Sequence, residues 1–142
     1  MATVAEVQRK VHNILTSEIG SVTVDKDGAF RFPYQSTVVN VSVEEFGENE
    51  TLVKLDGLIA LDSQSSPAVY EWCNQQNVAI AFGAVVHMQS EKTNITMLKH
   101  AILGDFLDPA ELFTALKGVV FLADDLDDKF ISLFGGKRYE DI

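Results

Sequence analysis

A helical repeat of apolar residues opens the chain. Apolar residues recur at steps of three, four and one from about Ala2 to Glu18, which places them along one side of a helix. They are Val4, Val7, Val11, Ile14 and Leu15. Gly20 follows, at a point where the backbone after a helix often turns left-handed. The opposite side of the helix is polar, so we expect it to lie on a core surface.

From Ser21 the apolar period changes to two, which is typical of half-buried strands. Two runs around the turn at Asp27-Gly28 predict a hairpin, and a row of alternating valines predicts a third strand with one wet side. The alternating apolar residues of these three strands are Val22, Val24, Phe30, Phe32, Val39, Val41 and Val43.

A fourth strand is predicted from Thr51 to Leu61. Gly57 within it marks a bulge or a point of close approach. The side chains predicted to face inward are Val53, Leu55, Ile59 and Leu61.

The second half of the chain begins with a short helix. Ser66 as cap and Pro67 in the first helical position start it, and it should end at about Gln76. Its apolar face carries Val69, Trp72 and Cys73. Two more strands are predicted over residues 79–88 and 93–103, around a polar turn.

A long helix is predicted to close the fold. Asp108 serves as its cap, with Pro109 just inside and Glu111 three positions after the cap. Helical spacing of apolar residues continues to about Phe134. Gly118 is costly inside a helix, so we expect a close backbone contact there.

These elements predict one α+β domain over residues 1–142. Their order is α-β-β-β-(β)-α-β-β-α, in which the bracketed strand is the fourth. Strands that are neighbours in sequence and joined by short turns favour an antiparallel sheet of five to six strands, with helices packed on one face.

Charge narrows the classes of partner. Twenty-one acidic against 11 basic residues give a formal charge of −10, which repels phosphate backbones and anionic lipids. We therefore expect neither nucleic acid nor membrane as a partner, and no apolar stretch is long enough to span a bilayer. A single cysteine, Cys73, fits a cytoplasmic location.

The residues that could carry chemistry do not converge. His12, His87 and His100 fall on different elements and should not share a metal. Cys73 lies on an apolar helix face and is expected to be inert. Four aspartates fan around the long helix, so we interpret them as solvated surface; they are Asp124, Asp125, Asp127 and Asp128. We predict a protein that is not an enzyme and has no cofactor.

Exposed apolar surface is what remains for function. Val38, Leu52, Leu58 and Ala60 are predicted to lie on the outer side of strands three and four and to form an interrupted apolar strip. The short helix adds two aromatic residues. The residues predicted to bind a partner are Tyr70, Trp72, Val38, Leu52 and Leu58.

The order of elements, the run from Gly104 through Glu111 to Gly136, and the helix residues Trp72 to Asn77 resemble the YbjN-like proteins, which are grouped with the type III secretion chaperone fold. The resemblance covers the chain in architecture and is concentrated after Val69. It implies a bacterial, protein-binding scaffold, a homodimer, with a protein or peptide client and no cofactor. Trp72 and Cys73 stand where the family more often has leucines.

Three hypotheses follow. The first is a cytoplasmic chaperone-like adaptor that holds client segments on a sheet and helix surface. The alternative is a small-ligand sensor or an enzyme with a pocket between sheet and helices, using His87, His100 or Asp105 as polar groups. The third is a purely structural subunit of an oligomer.

Overall fold

The strand alternation of the sequence is realised in one antiparallel sheet. The computed structural model describes residues 2–141. The strands are β1 (Thr23–Val24), β2 (Phe30–Tyr34), β3 (Thr37–Phe46), β4 (Glu50–Leu61), β5 (Ala84–Gln89) and β6 (Asn94–Leu103). Neighbouring strands pair in the order β1-β2-β3-β4-β6-β5, and each pair is antiparallel. The predicted α+β class and element order are confirmed.

In the described residues, three α-helices pack on the sheet. They are α1 (Val4–Ile19), α2 (Pro67–Ala79) and α3 (Pro109–Phe134), followed by a 3-10 turn at Tyr139–Asp141. The predicted cap of α3 is confirmed, because the Asp108 carboxylate accepts a 2.7 Å hydrogen bond from the Glu111 N–H. Gly20 ends α1 with φ 93°, as expected for a left-handed terminus.

The helices α1 and α3 pack on the same face of the sheet, and α2 lies against β5. The core between them is apolar and includes the fully buried Leu15, Leu55 and Phe130. Trp72 of α2 reaches this core. Among residues 2–141, no helical layer covers the other face of the sheet, so one side of β3, β4 and β6 is left to solvent and to the C-terminal segment.

The helix α2 is longer than predicted, which delays β5. It runs through Ala79, so the strand predicted to start there begins at Ala84 instead. Asn77, in the last turn, explains the extension. Its side-chain amide donates to the Val85 carbonyl at 3.1 Å and accepts from the Val85 N–H at 2.7 Å. The amide thereby occupies backbone groups that an edge strand would otherwise leave unpaired.

At Gly57 the helix α3 packs closely against the backbone of the sheet. A Cβ atom at this position would lie 3.0 Å from Ala123 Cβ and 3.0 Å from Val119 Cγ1. The residue pairs regularly with Val39 on one side and Leu98 on the other. Of the two predicted roles, close approach is therefore the observed one.

The bulge of β4 lies two residues further on. Its register with β6 shifts between Leu58 and Ala60, so Ile59 and Ala60 are both buried on the helix side. Leu61 then lines a depression on the outer face. The predicted inward position of Leu61 and outward position of Ala60 were wrong, because a bulge inserts a residue and reverses the alternation after it.

The close backbone contact predicted at Gly118 was also wrong. The nearest atoms to a Cβ there belong to the Phe82 ring, at 3.6 Å, which is ordinary van der Waals contact. The strand glycine, and not the helix glycine, accommodates the packing of α3.

The two glycines give opposite expectations on substitution. Gly57→Ala should destabilise the fold by about 1–3 kcal/mol, because the added methyl overpacks the contact with α3. Gly118→Ala, the matched control, should be neutral or stabilising by up to about 1 kcal/mol through helix propensity. Urea unfolding midpoints measure both, and equal shifts in the two variants would contradict this packing.

Candidate functional site

An apolar concavity lies between the end of α1, the β2–β3 hairpin and the first half of α3. It encloses about 310 Å³. Its apolar lining consists of Ile19, Phe32, Pro33, Tyr34, Phe113, Leu116, Val120 and Phe121. Glu18 and Lys117 contribute charged groups to the same lining. We refer to this concavity as the groove.

Helical spacing on α3 builds one wall of the groove. Phe113, Lys117 and Phe121 are four residues apart and so share a side of the helix. The Lys117 ammonium nitrogen lies 5.1 Å from the centroid of the Phe113 ring, within the range of a cation–π contact. The Phe121 ring, 49% exposed, packs at 5.6 Å on Tyr34 of β2. The aromatic wall is therefore held in place by its own neighbours.

A serine anchors the β2–β3 hairpin to α3 beside this wall. The Ser36 hydroxyl lies 2.5 Å from a carboxyl oxygen of Asp124 and also contacts a carboxyl oxygen of Asp127. A hydroxyl has one hydrogen and cannot donate to both. The serine can therefore donate only one of the two contacts, and the other is favourable only when its carboxyl group carries a proton.

Asp127 is the carboxyl group suited to carry that proton. It is 1% exposed, and burial raises its pKa; the Ser36 hydrogen bond opposes this, while the charges of Asp128 and Asp124 add to it. The interpretation of all four aspartates as solvated surface was wrong for Asp127. Its position on α3 faces the hairpin, a contact that the spacing of charges along the helix does not reveal.

Trp72 lies in the core. Its side chain is 9% exposed, and its ring packs edge-on against Phe130 at 5.3 Å and Phe134 at 6.3 Å. Tyr70 is about half exposed and contacts the His87 ring edge-on at 5.2 Å. Neither residue lines the groove, and their part in partner binding stays a prediction.

The apolar strip predicted on the outer face consists of two separate parts. Val38 and Leu58 lie in a depression of about 320 Å³ that also includes Tyr139 of the C-terminal segment. Lys137 fixes this segment by pairing with Leu61 through two backbone hydrogen bonds of 2.8 and 2.9 Å. Leu52 lies towards the opposite end of β4, beyond a polar row.

That polar row crosses the middle of the outer face. Asn40, Asp56 and Lys99 are cross-strand neighbours in β3, β4 and β6, and the Lys99 ammonium lies 3.3 Å from Asp56. Arg31 of β2 extends the row by donating to Asn40 at 2.9 Å. The apolar side chains on either side of it are thus separate surfaces.

His87, His100 and Asp105, the polar groups that an enzyme or sensor would use, do not lie together in one site. The two ring nitrogens of His87 lie 2.8 Å from Thr96 Oγ1 and 3.1 Å from Ser65 Oγ, and burial lowers its pKa. His100 lines a different, open depression beside Phe82, and burial lowers its pKa too.

Asp105 and Cys73 are engaged elsewhere. The Asp105 carboxylate accepts from the Thr51 hydroxyl at 2.5 Å and from the Thr51 N–H at 2.9 Å, and the hydroxyl contact is the main reason that its pKa is lowered. Burial raises the pKa of the Cys73 thiol. Within residues 2–141, no three side chains of His, Cys, Asp or Glu are grouped as metal ligands.

Comparison with known families places the chain. A sequence model of the family described as T3SS (YopN, CesT) and YbjN peptide-binding chaperone 1, or TY-Chap1, matches residues 5–142. The chain belongs to the TY-Chap1 family. No curated protein matches the chain. Membership supports a peptide-binding chaperone role and confirms the resemblance to YbjN-like proteins.

The residues that line the groove of this TY-Chap1 chain were not predicted from the sequence, which indicated only a pocket between sheet and helices. The groove lining comes from three segments that are far apart in the sequence, near residues 18–19, 32–34 and 113–121. The sequence did contain one sign of the groove. The helix α3 has more large apolar residues than one core-facing side can hold, and Phe113 and Phe121 are among the additional ones. In the part of the chaperone that the structure describes, no helix is both long and apolar enough to cross a bilayer.

The buried carboxyl of the chaperone predicts a pH dependence. Because Asp127 holds its proton more tightly in the folded chain, stability is lost as pH rises from the ordinary aspartate pKa of about 3.9 through the raised value. Asp127→Asn should therefore be more stable than the natural chain at pH 7, and the difference should shrink towards pH 4.

Unfolding in urea across this pH range measures the effect. Asp125→Asn is the control, since it removes the same charge from an exposed site on α3. A gain in Asp127→Asn no larger than that in Asp125→Asn at pH 7 would contradict the assignment.

Proposed function

We propose that this chain is a non-enzymatic chaperone that holds a segment of a client protein. Apolar side chains of the client enter the groove. The observation that carries the proposal is the groove itself: a concave surface beside α1 and α3, lined by apolar side chains, in a chain that belongs to a peptide-binding chaperone family.

The size of the groove suits side chains of a client. Its volume of about 310 Å³ lies at the lower end of the roughly 300–1,000 Å³ typical of binding pockets. Burial of a Leu, Phe or Met side chain contributes about 1.5–3 kcal/mol. One or two such anchors give the modest, reversible affinity that a chaperone needs in order to release its client.

The walls of the groove support binding because they are already in place. Tyr34 packs on Phe121, and Ser36 ties the hairpin that carries Tyr34 to α3. Because the site is already ordered, binding loses less conformational entropy and the affinity is higher.

A small-ligand sensor or an enzyme is the less favoured alternative. The histidines and Asp105 that it requires lie in separate places and are engaged with Thr96, Phe82 and Thr51. A thermal-shift screen separates the two functions, since a specific metabolite at many times its Kd would add a few kcal/mol of stability.

A homodimer and a cytoplasmic location belong to the same proposal. They rest on the family resemblance, the single cysteine and the acidic charge. The chain mass in solution tests the dimer directly, and a structural subunit of a larger oligomer would differ from it in that mass.

Substitution in the groove should reduce client binding without unfolding the chain. Phe121→Ser removes a half-exposed ring from the wall, and we expect about a tenfold or greater loss of affinity, as for the loss of a central apolar anchor. Leu133→Ser is the matched control, because Leu133 is 60% exposed on the same helix and lies outside the groove.

Binding is measured on an array of immobilised peptides that tile unfolded protein sequences, with peptides rich in Leu and Phe as the expected ligands. Equal retention by Phe121→Ser and Leu133→Ser would refute the groove as the binding site.

A further inference from the structure

A second apolar surface lies on the outer face of the sheet, at the end that carries the β3–β4 turn. Leu52 of β4 and Leu103 of β6 are directly opposite each other in register. Phe46 lies on the same face of β3, and Phe106 lines a small depression with Leu103. We define the end patch as Phe46, Leu52, Leu103 and Phe106. Phe106 is 90% exposed, and both Phe46 and Leu103 are about half exposed.

The loop that carries Phe106 is firmly packed. Gly104 before it is buried so closely that a Cβ there would lie 2.5 Å from Thr51 Oγ1 and 2.9 Å from Val7 Cγ1. Asp105 is bonded to Thr51, and Leu107 after it is buried. Because Gly104, Asp105 and Leu107 are held by these contacts, the backbone at Phe106 is well fixed and its ring points to solvent.

Carboxylates alternate with the apolar side chains of the end patch. Glu44 is directly opposite Leu52, and Glu50 is directly opposite Phe46. Cross-strand partners have side chains about 5 Å apart, so Leu52 and Phe46 each have a carboxylate beside them.

The charge of this region is strongly one-sided. Residues 44–54 and 101–106 hold five carboxylates and one lysine. That lysine, Lys54, lies 3.7 Å from Glu44, and both side chains are substantially exposed. Such exposed pairs are weak, so the two segments together carry a clear excess of negative charge.

We propose that the end patch binds a short client segment that combines aromatic or aliphatic side chains with lysine or arginine. The apolar side chains cover Phe106 and Leu103, and the cations pair with Glu44 and Glu50. Neighbouring strands are about 4.8 Å apart, so the patch spans about 10 Å from β3 to β6, the reach of three or four extended residues.

This surface is distinct from the groove. The groove lies on the helix face of the sheet and the end patch on the outer face. Charge complementarity selects the occupant, because an acidic or purely polar segment would face like charges or leave the rings uncovered.

Three short fluorescein-labelled peptides test the proposal. The first carries Phe, Leu and Lys in a Gly-Ser background, the second has Glu in place of Lys, and the third has Ser in place of Phe and Leu. We expect the first to bind about tenfold more tightly than either of the others by fluorescence anisotropy, and to weaken as salt rises. Equal binding of the first and second peptides would overturn the proposal.

Variants locate the binding. Phe106→Ser should weaken binding of the Lys peptide about tenfold, and Glu50→Lys should weaken the Lys peptide while strengthening the Glu peptide. Val78→Ser is the matched control, since Val78 is 85% exposed on α2. Binding that responds to Phe121→Ser in the groove, and not to Phe106→Ser, would place the peptide elsewhere and refute the end patch while leaving the groove intact.

Discussion

The architecture depends on the contact between α3 and the centre of the sheet. At Gly57 the strand has no side chain, so Val119 and Ala123 come close to its backbone, and the 26-residue helix can lie across β3, β4 and β6. With α3 placed there, α1 covers β3 beside it. The apolar groove lies between these two helices and the β2–β3 hairpin. In the part of the chain that the structure describes, the opposite face of the sheet has no helical layer, and the end patch lies on that face.

Much of this fold could be predicted because its signals are local. The valines of β3 alternate cleanly, the Asp108 cap is followed by proline and glutamate, and the first helix ends at a glycine. The bulge at Ile59 could not be predicted, because Leu58, Ile59, Ala60 and Leu61 are all apolar and give no period to break. The extension of α2 depends on a bond from Asn77 to a strand that comes later in the chain.

The site was harder to predict than the fold because it is built from distant segments. Nothing local relates Ile19 and Tyr34 to Phe121, and nothing in a row of aspartates distinguishes Asp127 from Asp125 until the Ser36 turn is placed against α3. The apolar strip predicted from Val38, Leu52 and Leu58 follows the alternation correctly. Its division by Asn40, Asp56 and Lys99 appears only when β6 is set beside β4.

The proposed function requires client side chains to enter the groove between α1, the β2–β3 hairpin and α3. Methyl NMR during titration with a Phe- and Leu-containing peptide measures this entry, because Ile19, Leu116 and Val120 line the groove while Leu133 lies outside it. Binding in the groove should shift the methyl signals of the three groove residues progressively, at peptide concentrations that leave Leu133 unchanged. Saturable binding without a shift of the groove methyls would show that the client binds elsewhere.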